Sequence, residues 1–211
     1  MLTQLQLSTL AYVVFGLWSA IALYNGVAVK LEWFGFISTA VAGLFVLLVL
    51  FDKWVWRWGI FRGWLVKRPR IWGTWRATLR STYRDPATGE PIAPITAFML
   101  IRQTYSRITL RLMTPESCSD VIAVDLRDGD TGCFSLASVY QNTPRLGVRD
   151  RSPIHFGALL LQIPQNEETV LTGHFWTDRD TRGEIELADR RKGYHYTYQA
   201  ATAAFNAPVK A

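Results

Sequence analysis

Polar and aromatic side chains recur at alternate positions in the chain after residue 79. Arginine can pair with a phosphate, a hydroxyl can donate a hydrogen bond to one, and an aromatic ring can stack on a nucleobase. The residues with this potential are Arg80, Ser81, Tyr105, Arg107, Ser117, Ser119, Tyr140, Asn142, His155, Trp176, Thr177 and Arg182. We predict that they bind a ligand that carries phosphates and bases. A solvated outer surface would account for the arginines equally well, because alternation does not say which face lines a lumen.

Motifs for catalysis or for a bound cofactor are absent from the sequence. It contains no Gly-rich phosphate loop, no His-Glu-x-x-His, no Cys-x-x-Cys and no Gly-x-Ser-x-Gly. The three histidines lie on separate predicted strands or in the tail, so a metal site would depend on the fold alone. We therefore expect a protein that is not an enzyme and that needs no cofactor and no metal. Two rivals stay open, a membrane-anchored hydrolase and a lipid-carrying or scaffolding barrel.

The elements that must position these side chains are predicted to be β-strands. Short segments of alternating apolar and polar residues recur after residue 70, separated by turn residues. The first predicted strand ends near residue 81. The other seven span 96–104, 105–113, 121–126, 133–140, 154–163, 170–177 and 183–189. No segment after Leu65 has an apolar repeat of 3.6 residues long enough for a helix, so a parallel sheet with crossover helices is not expected.

Eight short antiparallel strands can close into a small β-barrel, which removes both sheet edges and leaves room for side chains or one small ligand. The predicted fold of residues 71–191 is therefore an all-β domain, a small antiparallel eight-stranded β-barrel. A flattened β-sandwich is the alternative. Loops are predicted at 85–94 and 141–153, and the Tyr- and Ala-rich tail at 192–211 is expected to add a strand or to lack regular structure.

The first 51 residues are predicted to form a hairpin of two transmembrane helices. No charged side chain precedes Lys30, and residues 5–29 are long enough, at about 1.5 Å per residue, to cross a hydrocarbon core of roughly 30 Å. Residues 33–51 form a second uncharged apolar stretch. A cleavable signal peptide is the competing interpretation. It is disfavoured because no basic segment precedes the apolar run and because the run exceeds the usual length of about 7 to 15 residues.

Residues 52–70 form a basic, tryptophan-rich segment next to the membrane. Cations there greatly outnumber the single acid, Asp52, so the positive-inside rule places both ends of the hairpin in the cytoplasm. The segment's indoles suit the headgroup level, although some could belong to the core of the following domain; they are Trp54, Trp56, Trp58 and Trp64. The net charge of +6 is concentrated here and favours a membrane surface over DNA or RNA as the partner.

Small side chains in the second predicted span follow one helical stripe. Gly35, Thr39 and Gly43 are spaced four residues apart, a pattern that lets helix backbones approach closely in lipid. We predict that this stripe is a helix contact. It could equally pack against the first helix of the same hairpin.

Several short motifs follow the hairpin in a characteristic order: IWGTWR at 71–76 leading to Ser81, QTYS at 103–106, SCS at 117–119, YQN at 140–142, HFGALL at 155–160, and LTGHFWT at 171–177 followed by Arg179, Thr181 and Gly183. This order, over nearly the whole chain, resembles the SMODS-associated two-transmembrane, β-strand-rich effectors of bacterial CBASS antiphage defence.

The resemblance implies a receptor and effector in the bacterial inner membrane, with the N-terminus and the C-terminal domain in the cytoplasm. In that family the barrel would bind a cyclic dinucleotide made by a partner nucleotidyltransferase of the CD-NTase (cGAS-like) class after phage infection. The protein would then self-associate into oligomers, and its spans would disrupt the membrane and kill or arrest the infected cell.

Overall fold

The computed structural model describes residues 12, 16, 19–20, 23–24, 32–61, 63–85, 88–129, 132–165 and 169–207, without the side chains of 32–40. The chain divides into two compact units, Met1–Arg62 and Gly63–Ala211.

In the described part of the first unit, a long helix, α1, spans Glu32–Lys53 and is followed by short 3-10 turns at Val55–Arg57 and Gly59–Phe61. Its side chains are described from Val41 onward, and Leu44, Phe45 and Leu47 are each more than half exposed. Among the residues that the structure describes, no helix is both long enough and apolar enough to span a bilayer. The predicted span at 5–29 lies almost entirely outside the described residues, and both spans stay predictions.

The second unit is a closed antiparallel β-barrel of eight strands in sequence order. The strands are β1 Gly73–Ser81, β2 Ile95–Gln103, β3 Ile108–Met113, β4 Ser117–Asp128, β5 Cys133–Pro144, β6 His155–Pro164, β7 Leu171–Thr177 and β8 Arg182–Arg191. Closure comes from pairing of β1 with β8, for example Thr78 opposite Glu186. The barrel prediction is confirmed, and the sandwich alternative is wrong.

Alternation along each strand sends one set of side chains into the barrel. One end of the lumen is filled by fully buried residues, among them Trp75, Ile101, Leu136, Ile163 and Leu187. The Trp75 indole also donates a hydrogen bond of 2.8 Å to the carbonyl oxygen of Ile71, so its polar atom is satisfied inside the core. This end of the barrel is a packed core.

Strands β4 and β5 are longer than the sequence predicted. Residues 141–144, predicted as loop, pair with the start of β4 through Ser117 opposite Pro144 and Ser119 opposite Asn142. These positions are polar and carry no apolar alternation, which hid them from a pattern search. Pro144 is tolerated because it ends its strand, where a missing N–H costs little.

The tail prediction is wrong, because Tyr198–Asn206 forms a helix, α2. The Thr197 hydroxyl caps it by accepting a hydrogen bond of 3.2 Å from the Ala200 amide. Ala201 and Phe205, one turn apart, are buried with Phe98 of β2, on the outside of the barrel. Alanine favours the helix, but its apolar repeat of about two turns was too short to recognise in the sequence.

Candidate functional site

The lumen is open at the end opposite the packed core. A cavity of about 540 Å³ lies there, at the end that carries the β1–β2, β3–β4, β5–β6 and β7–β8 connections. Its volume falls within the range of about 300 to 1,000 Å³ typical of small-molecule sites. Its floor is formed by buried apolar side chains, including Met99, Leu110, Leu159 and Ile185. We call this space the mouth cavity.

The wall of the mouth cavity carries hydroxyl, amide and aromatic side chains. They point inward because they continue the alternation that buries the core; on β5, for example, Tyr140 and Asn142 follow Phe134 and Leu136 in steps of two. Seven of the predicted site residues line this cavity: Ser81, Ser117, Ser119, Tyr140, Asn142, His155 and Thr177. Their role in ligand binding stays a prediction.

Asn142 is the centre of a hydrogen-bonded cluster on the β4–β5 side of the cavity. Its amide nitrogen donates to the hydroxyl of Ser119 at 2.7 Å and to that of Ser117 at 3.1 Å. The Ser117 hydroxyl is also hydrogen-bonded to that of Thr114, at 3.0 Å. This side of the wall is therefore polar and is ordered by hydrogen bonds between uncharged side chains.

Tyr140 extends into the cavity across a glycine. It is paired with Gly157 on β6, and a Cβ atom at that position would overlap the Tyr140 ring. Phe175 has the same arrangement with Gly183, where a Cβ atom would lie 2.7 Å from the ring. The two glycines thus make room for two inward aromatic rings.

The Tyr140 hydroxyl is neutral at physiological pH. Burial and, to a smaller extent, the negative charge of Asp178 together raise its pKa to about 12. A neutral phenol can both donate and accept a hydrogen bond, and its ring offers a surface for stacking.

Arginines lie at the rim of the mouth cavity. Arg151 forms an ion pair with Glu116 across the β3–β4 turn, and Arg179 donates a hydrogen bond of 2.9 Å to the Ser152 hydroxyl. Neither was among the predicted site residues. The sequence could have indicated them by their positions, because Arg151 and Arg179 lie in the segments that follow the predicted strands 133–140 and 170–177. Arg179 supplies positive charge where solvent meets the cavity, and the charge of Arg151 is balanced there by Glu116.

The remaining predicted site residues do not line the mouth cavity. Arg80 lies on the outer face of β1, where its guanidinium is 3.6 Å from the Glu186 carboxylate. Trp176, which is 51% exposed, and Arg182 border a second, shallower cleft beside the β7–β8 turn. Arg80, Trp176 and Arg182 each lie next to a residue that lines the lumen, so their own side chains point outward. The alternating pattern could not tell these two faces apart.

Tyr105 and Arg107 are at the far end of the barrel, in the β2–β3 turn. The Arg68 guanidinium stacks 5.2 Å from the centre of the Tyr105 ring and donates a hydrogen bond of 2.7 Å to its carbonyl oxygen. The Arg107 amide donates to the Thr104 hydroxyl within the turn, at 3.1 Å. The packed core separates both residues from the mouth cavity.

The barrel is thus packed at one end of its lumen and open at the other, and Arg151, Arg179 and Glu116 lie where the open end meets solvent. A family model described as Cap15, cyclic dinucleotide receptor domain, matches residues 66–189. Because the match covers more than half of the sequence, the chain belongs to this family.

A relative from Staphylococcus schleiferi, CD-NTase-associated protein 15, is 27% identical over 158 residues, which is 75% of this chain and 81% of the relative. Together, the family match and this relative confirm the resemblance to CBASS effectors that the sequence motifs indicated.

Proposed function

We propose that this protein is the receptor and effector of a CBASS antiphage system, and that the mouth cavity binds a cyclic dinucleotide. The observation that carries the proposal is a cavity of about 540 Å³ inside the family-matched barrel, with rings and hydroxyls on its wall and arginines at its rim. We further propose that the protein acts by binding alone, without catalysis.

The distribution of charge supports one orientation of the ligand. The cations Arg151 and Arg179 are at the rim, where phosphates remain partly hydrated, and the wall at Tyr140 is uncharged. A base entering the lumen would bury apolar surface and stack on the ring, while each phosphate would meet a guanidinium. Arg151 is paired with Glu116 in the absence of ligand. On binding, the partner of Arg151 would change from the Glu116 carboxylate to a phosphate of the ligand.

The proposed response to the ligand is self-association at the bacterial inner membrane. A CD-NTase partner would supply the cyclic dinucleotide, and binding would favour an associating conformation by its differential affinity for that state. Exposed apolar side chains of α1, such as Leu44 and Phe45, and the uncharged stretches at 5–29 and 33–51 support insertion of the N-terminal unit into lipid. Assembled spans would then disrupt the membrane.

Calorimetry of the full-length protein in detergent tests the ligand. It should be titrated with a panel of cyclic di- and trinucleotides, and we expect at least one cyclic dinucleotide to bind. The double variant Arg151→Ala/Arg179→Ala should bind it at least about tenfold more weakly, because each guanidinium lost removes a charge-assisted hydrogen bond.

Arg107→Ala provides the matched control, since it removes an exposed arginine at the far end of the barrel. Its affinity should equal that of the wild type. No binding by any member of the panel would contradict the receptor proposal. An equal loss in Arg107→Ala would move the site away from the mouth cavity.

A further inference from the structure

The side-chain amide of Asn142, a residue of the mouth cavity wall, has a hydrogen-bond acceptor without a partner among the described residues. Asn142 is only 8% exposed, and its Oδ1 atom is buried without a hydrogen-bond partner among the residues that the structure describes. A buried polar atom of this kind is uncommon in folded proteins, because leaving it unpaired costs roughly 1 to 3 kcal/mol. The atom is therefore a candidate contact for a molecule that enters the cavity and displaces the groups that cover it.

The rest of the amide is held in place. Its nitrogen uses both hydrogens, on the Ser117 and Ser119 hydroxyls. The Thr114 hydroxyl oxygen, which contacts Ser117, accepts from the backbone amides of Ser117 at 2.9 Å and Glu116 at 3.2 Å. The amide is thus tied to the β3–β4 turn through two hydroxyls, and its oxygen keeps a fixed direction.

Asn142 also lies beside the ring on which a base would stack. Tyr140 and Asn142 are two residues apart on one face of β5, which separates them by about 7 Å along the strand. A base stacked on the Tyr140 ring would therefore bring its hydrogen-bonding edge close to the Asn142 amide. Asn142 lies on the rim side of Tyr140, so a ligand with its base on the Tyr140 ring and its phosphates at the rim arginines would pass the Asn142 amide.

We propose that Asn142 determines base specificity by accepting a hydrogen bond from an N–H group on the base edge of the ligand. This inference rests on the proposed cyclic dinucleotide function, and it names the base edge as the part of the ligand that the protein recognises. A ligand whose base offers no N–H at that edge would leave Oδ1 buried and unpaired, so its affinity should fall by about 5- to 150-fold.

Paired ligands test this inference in the full-length protein. The tightest binder among the cyclic di-adenosine, di-guanosine and di-uridine monophosphates is compared with its counterpart that lacks one base N–H. These counterparts are purine in place of adenine and hypoxanthine in place of guanine, each of which lacks the exocyclic amino group, and N3-methyluracil in place of uracil, which lacks the ring N–H. A 2′-deoxy counterpart tests a ribose hydroxyl as the alternative donor.

In the wild type, loss of the base N–H should weaken binding by the factor given above, and the 2′-deoxy change should not. In Asn142→Ala, the two members of the pair should bind equally within about twofold. Thr143→Ala is the matched control, because Thr143 is the exposed neighbour on the same strand and should leave the discrimination unchanged. Asn142→Asp keeps an acceptor oxygen and should keep the preference for the N–H ligand.

Three results would overturn this inference and leave the proposed function standing. They are unaltered discrimination in Asn142→Ala, lost discrimination in Asn142→Asp, and weaker binding of the 2′-deoxy ligand in place of the ligand without the base N–H. If the wild type binds none of the natural cyclic dinucleotides, the proposed function fails and this inference fails with it. Circular dichroism of each variant establishes that it is folded before the comparison is made.

Discussion

The protonation state of the Tyr140 hydroxyl affects the stability of the barrel. Its pKa is raised to about 12 in the folded protein, whereas an unfolded tyrosine ionises near pH 10. The folded state therefore holds the proton more strongly, so its contribution to stability is complete below about pH 10 and is lost as the pH rises to about 12.

We expect the free energy of unfolding of the wild type to fall between pH 10 and pH 12 by roughly 1 to 2 kcal/mol more than that of Tyr140→Phe. This is less than the full 1.36 kcal/mol per pKa unit, because the ring is partly exposed. Urea unfolding at several pH values measures the difference. Parallel pH profiles for the two proteins would contradict the assignment.

Gly157 is predicted to be indispensable for the position of the Tyr140 ring. In Gly157→Ala, the new methyl group would overlap that ring and lie 2.8 Å from the Trp176 carbonyl oxygen. We expect a loss of about 1 to 3 kcal/mol in stability and weaker ligand binding, as the ring is displaced. Thermal unfolding and calorimetry measure the two effects.

Gly147→Ala is the control for that substitution, because a Cβ atom at Gly147 has nothing within 4 Å. It should change stability by less than about 0.5 kcal/mol. If Gly157→Ala is as stable as Gly147→Ala and binds ligand normally, the ring does not depend on the glycine.

The sequence revealed which residue types could form a site, but not which of them share a space. Ser117, Ser119, Tyr140 and Asn142 lie on inward positions of β4 and β5, whereas Arg80 lies on an outward position of β1. Both kinds alternate with their neighbours, so the pattern alone could not separate them. The separation required knowing which positions are buried in the same core.

Helix α2 is predicted to stabilise the barrel without taking part in ligand binding. Phe205 packs on Phe98, with ring centres 5.0 Å apart, and the guanidinium of Arg191 lies 5.2 Å from the Phe205 ring. Phe205→Ala should therefore lower the free energy of unfolding by about 2 to 4 kcal/mol. Ligand affinity of the folded variant should be unchanged, because the helix packs on the outside of the barrel.

Gln199→Ala is the matched change on the exposed side of α2 and should be nearly neutral. Denaturant unfolding of both variants, with calorimetry below the transition, makes the comparison. Reduced affinity in folded Phe205→Ala would show that the helix is coupled to the mouth cavity.

Elements with a regular apolar alternation were predictable, and elements held by tertiary contacts were not. Strands β1 to β3 and β6 to β8 were found close to their observed positions because their inward residues are apolar. The ends of β4 and β5 are polar and are defined by pairing across the two strands, as with Ser119 and Asn142. Helix α2 depends on burial of Ala201 and Phe205 against the barrel.

At the scale of the whole molecule, we predict that sensing and membrane action can be separated by mutation. Gly43 is exposed on α1, and a Cβ atom there would meet nothing within 4 Å in a single chain. Gly43→Leu should therefore fold and bind cyclic dinucleotide as the wild type does. If Gly43 is part of a helix contact in lipid, the same variant should cause several-fold less dye leakage from liposomes.

Val41→Leu, which enlarges another exposed residue of the same helix, is the control and should leak dye at the wild-type rate. Mass photometry with and without ligand reports whether the loss of leakage accompanies a loss of larger species. Wild-type leakage by Gly43→Leu would remove the stripe of Gly35, Thr39 and Gly43 from the active assembly.

Closure of the barrel limits how copies of this receptor can join. Every strand in the described part of the chain is paired on both sides, since β1 and β8 are bonded to each other. Pairing between β3 and β4 nevertheless covers only Arg111–Met113 and Cys118–Asp120, so residues 121–128 of β4 have no strand partner on that side among the described residues. An unpaired strand edge is the route by which open sheets capture a strand from a neighbouring molecule. Closure of the barrel therefore limits strand capture to such short stretches, and elsewhere copies of the domain meet through side-chain surfaces.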